Sequence, residues 1–197
     1  FIKIAIFCAR TPSMSATRDI LKTYDVDHEK TGSIQYRGNG WPGYFTAYSE
    51  NGEILFRKKY REIWDKILCK REHSNVRCFF CHDCTGEHAD ISVGDAWLEE
   101  LPKDSKGHSV VITRSARGDK YIQECIKTET LTLERTNIET VINSQKSLLS
   151  KKENIFFKRI IARLLGKKVP DEKISYSWTQ NNFKNAPGLI KYFLVKK

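Results

Sequence analysis

Residues 77–97 read RCFFCHDCTGEHADISVGDAW, and the reading of the fold turns on them. Cys78, Cys81 and Cys84 recur at intervals of three, and a run of small and acidic residues then leads to Trp97. Thiolates are anionic, polarisable ligands for soft and borderline metals, and C-x2-C spacing aims two sulfurs at one centre from a tight turn. Directly after that turn, residues 91–93 have the character of a short strand. Its neighbours Asp90, Ser92 and Asp95, closed by Gly94, would hold polar groups in a fixed geometry beside the cysteines. A strand docked next to a metal-binding turn is the first element of the fold.

Working outward, residues 2–8 are continuously apolar and β-branched, which predicts a buried strand with Cys8 at its carboxyl end. Ser13 is an N-cap candidate for a helix through residue 24. Residues 33–37 form a short strand that enters RGNGWPG at 37–43, where three glycines and a proline force an irregular turn. Asn51-Gly52 marks a hairpin between strands at 44–49 and 53–58. Residues 59–70 suit a helix with Ile63, Trp64, Ile67 and Leu68 on one face. A strand at 109–114 and a helix at 119–127 follow. The expected class is α+β: short mixed strands with one hairpin, irregular glycine-containing loops, and a basic helical C-terminal extension. The expected boundary divides residues 1–145, the cofactor-bearing region, from the extension at 146–197.

Composition bounds the function. The chain has 197 residues, 40% of them apolar, enough for a packed core. Its net charge of +10 is uneven: from Lys146 onward 13 basic residues face 3 acidic ones, so the first 145 residues are balanced. Nucleic-acid binding is therefore not expected. In the tail, Leu149, Phe156, Ile160 and Leu164 recur at near-helical spacing, with Phe157, Ile161 and Leu165. Lys151, Lys152, Lys158, Arg159, Arg163, Lys167 and Lys168 fill the opposite face. The expectation is a helix packed on its own domain with a solvated basic face, the alternative being contact with an anionic membrane surface or a partner protein. The final apolar run, LIKYFLV, either docks back or meets a partner. No stretch approaches the roughly 20 apolar residues of a membrane span, and no signal peptide is visible. A cytoplasmic location is expected. Phe1 is not a methionine, and the expectation is an N-terminally truncated chain that starts inside a domain.

From the residues alone, the cysteine cluster leaves two occupants open. C-x2-C-x2-C begins a ferredoxin-type run, but His88 stands where the next cysteine would fall, so an iron–sulfur cluster needs a fourth ligand from elsewhere, and Cys8 is the candidate. Zinc is the competitor, with His82 and His88 completing a compact knuckle. Cys69 and Cys125 read as small buried residues. RGNGWPG has no Walker or Rossmann spacing. Its glycines, Gly40 among them, nevertheless admit a phosphate or a flat ring, Arg37 can pair with a pyrophosphate, and Trp41 can stack. Nothing supports a hydrolase: Ser-His-Asp order, HExxH and G-x-S-x-G are all missing.

Several stretches together, FCARTPS, YRGNGWPG, RCFFCHDCTGEHADISVGDAW, GHSVVITRSARG and SQKSLLSKK, resemble the coenzyme F-420 hydrogenase/dehydrogenase β-subunit family, in its polysaccharide-biosynthesis branch. The resemblance covers about residues 2–170. It implies a flavoprotein with iron–sulfur clusters, in which FAD moves electrons between a 4Fe–4S cluster and a second acceptor, either coenzyme F-420 or an organic substrate. It also implies a redox partner protein or a small-molecule substrate. On that pattern Cys8, Cys78 and Cys81 match cluster ligands, and Cys84 departs from the family as a substitute ligand or a bystander. A further family ligand lies in a G-T-P-C-type segment that this chain does not contain. Arg37, Gly40, Trp41, Asp90, Ser92, Gly94, Asp95 and Ser109 are the expected flavin contacts. The alternative is a non-catalytic zinc-stabilised module that binds a partner or an anionic surface through its basic tail.

Overall fold

The computed structural model describes residues 1–101, 106–153, 155–169 and 191–195. Along the chain they form β1 (Ile4–Ile6), α1 (Met14–Thr23), β2 (Thr31–Gln35), β3 (Tyr44–Ser49), β4 (Ile54–Lys59), α2 (Tyr60–Ile63), β5 (Ile91–Asp95), β6 (Ser109–Thr113), α3 (Ala116–Lys127), β7 (Leu133–Thr136), α4 (Ile138–Ser144), α5 (Lys146–Glu153), α6 (Ile155–Leu164) and β8 (Lys191–Val195). Helices and strands in mixed and antiparallel sheets make this an α+β protein. The described residues divide into two compact units. The first contains Phe1–Ala9, Phe79–Leu101 and the described residues from His108 onward; the second contains Arg10–Cys78 with Lys106 and Gly107.

The first unit is built on a five-stranded sheet of order β1-β5-β6-β8-β7. β1 runs parallel to β5, with Ile4 opposite Ile91 and Ile6 opposite Val93. β5–β6, β6–β8 and β7–β8 are antiparallel. β6 carries Val110, Val111, Ile112 and Thr113, all buried, because it packs on both faces. Val111 joins Ile91 and Ile122 of α3 in one cluster, whereas Val110 and Ile112 join Ala96 and Val141 of α4 in another. Ser115 caps α3 by accepting a hydrogen bond from the Gly118 amide, and Asn137 caps α4 by accepting from that of Thr140.

Two readings of this unit are corrected. β1 is the sheet's edge rather than a buried strand, and Ile4 and Ile6 are 60% and 78% exposed. An apolar run alone does not separate an edge from a centre. Among the described side chains of α6, Ile155 and Arg159 are buried while Ile160, Ile161 and Leu164 are exposed, as is Leu165 just beyond it. Arg159 therefore does not belong to the solvated basic face. The LIKYFLV segment docks back: its residues 191–195 are β8, inserted between β6 and β7.

In the second unit, β2, β3 and β4 form an antiparallel sheet, with Gly52 at φ +83° in the hairpin between β3 and β4. Ala16 and Ile20 of α1 pack with Phe45, Ile63, Ile67 and Leu68. The helix expected over 59–70 is one α-helical turn, α2, that widens into a π-helical turn at Trp64–Leu68. Tyr24 stacks on Phe56 with ring centroids 4.6 Å apart.

Candidate functional site

Cys8 follows β1, and its amide donates to the carbonyl of Cys84 at 2.9 Å. The end of the first strand is thus joined to Cys84, the last of the three clustered cysteines. Gly86 tightens the same junction. It sits at φ +67°, and a Cβ there would overlap the Ala5 methyl and approach Ser92 Oγ to 3.2 Å. Cys84 is buried, whereas Cys8 and Cys81 are exposed. Asp83 accepts from the Glu87 amide at 2.8 Å, which closes the turn. Cys78, half-buried, belongs to the second unit, where the Thr11 amide lies 3.4 Å from its sulfur as a donor. All six cysteines are free, and Cys69 and Cys125 are half-buried rather than buried.

The turn is fixed to the sheet by an arginine. Arg114, just past β6, donates from Nε to Ser92 Oγ at 3.0 Å and from Nη2 to both the carbonyl and the hydroxyl of Thr85 at 3.2 Å. Ser92 in turn donates to the Gly86 carbonyl at 3.0 Å. Thr85 and Ser92 are 1% and 0% exposed, so this fork lies in a desolvated setting where its bonds count most. Thr85, Gly86 and Arg114 carry the turn, and the sequence reading did not single them out for it.

Asp90 is occupied by its own chain. Its Oδ2 accepts from the Lys3 amide at 2.9 Å and its Oδ1 from Ser115 Oγ at 2.6 Å, while Arg117 Nη2 reaches both oxygens at 3.0 and 3.1 Å. The Ser115 and Lys3 hydrogen bonds and the Arg117 guanidinium hold its carboxyl far below the usual carboxylate range. Gly94 also has a local reason: a Cβ there would stand 2.5 Å from Phe7 Cγ. Asp95 and Ser109 are cross-strand partners at the end of the β5–β6 ladder, and the Asp95 carbonyl accepts from Gln145 Nε2 at 2.6 Å.

The RGNGWPG residues lie in the second unit. Arg37 donates from Nε to the Pro42 carbonyl at 3.1 Å, and its guanidinium sits 4.9 Å over the Tyr60 ring. Gly40 is exposed at φ +105°, and the Trp41–Pro42 bond is cis. The Trp41 ring packs directly on Gly107, where any Cβ would overlap it.

The sequence profile that describes the C terminus of the beta subunit of coenzyme F-420 hydrogenase/dehydrogenase matches residues 1–139. The chain belongs to this family. No protein of curated function matches it. Among solved structures it is similar to a chain of the xenon-derivatised F-420-reducing nickel–iron hydrogenase complex from Methanosarcina barkeri, with a TM-score of 0.55 at 16% identity. The match covers 88% of this chain and 55% of that one, so this chain spans just over half the length of its structural relative. At that identity the likeness is one of fold.

Two features test whether the residues suit an implied cluster. In the first unit the donors are three free thiols, Cys8, Cys81 and Cys84, two of them exposed, and in the second unit the amide of Thr11 aims at the Cys78 sulfur. Soft sulfur donors with amide hydrogen bonds are the environment in which iron–sulfur clusters are held and their potentials set. They fit. Among the described residues neither these cysteines nor His82 and His88 bring three ligand atoms within 4.8 Å of one another, so that spacing favours neither occupant.

Proposed function

We propose that this chain is the electron-transferring part of a flavin- and iron–sulfur-dependent oxidoreductase. Cys8, Cys78, Cys81 and Cys84 are the proposed thiolate ligands of a 4Fe–4S cluster, and residues 1–145 the cofactor-bearing region. The observation that carries this reading is the backbone bond from Cys8 to Cys84, which seats cysteines from distant parts of the chain at one junction. Family membership supplies the chemical class. When bound, the cluster supplies one-electron transfer and FAD couples it to hydride chemistry, while the protein supplies orientation and electrostatics.

The chain's own residues would divide that work. Gly86 and Arg114 hold the cysteine turn against β1 and β5. Thr11 donates its amide to the Cys78 sulfur, the kind of hydrogen bond that would help to set a cluster's potential. For the flavin, Arg37 offers positive charge to the diphosphate, Gly40 an open backbone, and Trp41 a ring face. Asp95 and Ser109 offer polar groups to the flavin ring, and Asp90, Ser92 and Gly94 act through the frame that positions them. The electron acceptor is coenzyme F-420 or, in its place, an organic substrate of polysaccharide synthesis. The M. barkeri relative belongs to a complex that reduces F-420, which supports the first. A redox partner protein is the proposed source of electrons.

Anaerobic purification with visible spectroscopy and iron, sulfide and flavin analysis tests this. The expected result is a brown protein with about four iron and four sulfide per chain, lost on Cys8→Ser. A colourless protein free of iron and flavin would overturn it, and stoichiometric zinc without flavin would put the zinc-stabilised module in its place.

A further inference from the structure

Asp19, Glu72 and His73 were not singled out in the sequence, yet the second unit gathers them. Among the described residues, theirs are the only His, Cys, Asp and Glu ligand atoms that come within 4.8 Å of one another as a group of three. Asp19 comes from α1, while Glu72 and His73 come from the 3-10 turn Arg71–His73. His73 is 4% exposed. Its Nδ1 lies 3.0 Å from Ser15 Oγ, and its Nε2 lies 3.2 Å from Asp19 Oδ2 and 3.7 Å from Glu72 Oε1.

The direction of these contacts matters more than their length. Nε2 is buried and makes no hydrogen bond, although an oxygen stands 3.2 Å away. A hydrogen-bonded oxygen would lie along the ring N–H. The two atoms are close without meeting hydrogen-bond geometry, a closeness that two ligand atoms on one centre also show. Zinc at about 2.0–2.2 Å from nitrogen and oxygen ligands separates them by roughly 3.3 Å in a tetrahedron. The observed separations of 3.2 and 3.7 Å bracket that edge. A metal at Nε2 would require Ser15 Oγ to accept the proton of Nδ1, the arrangement that outer partners of ligating histidines impose. The carboxylate side chains are 48% and 65% exposed, which leaves an entry path and room for water as a fourth ligand. Lys70 Nζ lies 3.7 Å from the same Glu72 oxygen, and its side chain is 50% exposed, free to swing away.

We propose that Asp19, Glu72 and His73 bind a divalent transition metal of the zinc class. The ion would fasten the 71–73 turn to α1. That turn is already tied to the preceding chain by the Ser13 amide on the His73 carbonyl at 2.6 Å and by the Pro12–Ser74 bridge. It leads, through Asn75, to Cys78, whose amide donates to the Asn75 carbonyl at 2.9 Å. The metal therefore braces the base of the segment that presents Cys78.

Cobalt(II) titration of the anaerobically purified full chain, with zinc as competitor, tests the site. In the difference spectrum against the same protein without cobalt, one equivalent is expected to give weak visible bands without a new thiolate charge-transfer band, and zinc displaces it. The signal persists in Cys81→Ser, falls at least tenfold in affinity in Glu72→Gln and Asp19→Asn, and falls about 10- to 100-fold in Ser15→Ala through loss of the outer-shell bond. Glu72 is exposed, so its variant folds and keeps the test sharp. Cobalt bound only through thiolates, or unchanged affinity in Glu72→Gln, overturns the proposal and makes the group an ion pair on a protonated His73.

Discussion

Gly94 is glycine because of Phe7. The phenyl ring occupies the place of a Cβ, with Cγ at 2.5 Å and Phe7 Cβ at 2.8 Å, so an alanine must displace the ring near its root. Overpacking of this kind costs about 1–3 kcal/mol. Urea unfolding of Gly94→Ala should show that loss, and Phe7→Ala should absorb most of it in the double variant, because the two residues touch. A loss of bound flavin with stability unchanged would instead mark Gly94 as a contact. Asp90 makes a different kind of prediction. Its pKa is depressed in the folded chain, so it stabilises above the ordinary carboxylate value of about 3.9 and loses that contribution as pH falls toward its folded value. Asp90→Asn should lower Tm at pH 7, and the gap to the parent should narrow below pH of about 4. Melting curves of both proteins between pH 3 and 7 check this; a gap independent of pH would show that geometry rather than charge holds Lys3 to Asp90.

At the next scale, what the sequence disclosed depended on whether its signals were local. Asn51-Gly52 marked the β3–β4 hairpin because φ above zero at Gly52 is a property of the turn itself. The three cysteines were legible for the same reason: their spacing is short. β1 misled because burial depends on which strand lies beyond it, and among the described residues none does. β7 escaped notice since LERT carries little alternation and pairs only with a strand far along the chain. The supports of the cysteine turn were hidden as well. Arg114 stands 29 positions from Thr85 and 22 from Ser92, and no local pattern announces a contact at that range. Arg114 therefore makes the element-scale test. Lysine there keeps the charge but not the fork, and hydrogen bonds to charged groups contribute about 1.5–3 kcal/mol. Arg114→Lys should lose an amount in that range in chemical denaturation and should also lower iron retention. Iron retained in full would mean that the turn is held without the fork.

Taken whole, the molecule depends on its last strand in a way that the family match does not show. The profile ends at residue 139, yet the sheet of the first unit needs Lys191–Val195 to join β6 to β7. β6 pairs with β8 along its full length, Ser109 to Thr113 against Val195 to Lys191, and among the described residues β7 has no other partner in the sheet. Without β8, the apolar β6 segment Val110–Ile112 would present an unpaired edge, a template for pairing with other chains. β7 would also lose its ladder. A chain ending at residue 189 should thus aggregate and lose cooperative unfolding, and Phe193→Pro should reproduce the defect at full length, since proline cannot donate within a central strand. Thermal melts with light scattering on both variants measure it. A truncated chain that melts like the parent would show that β8 rests on a sheet already complete, and the basic segment before it would then be free to serve as an extension rather than as the tether that returns the chain to its core.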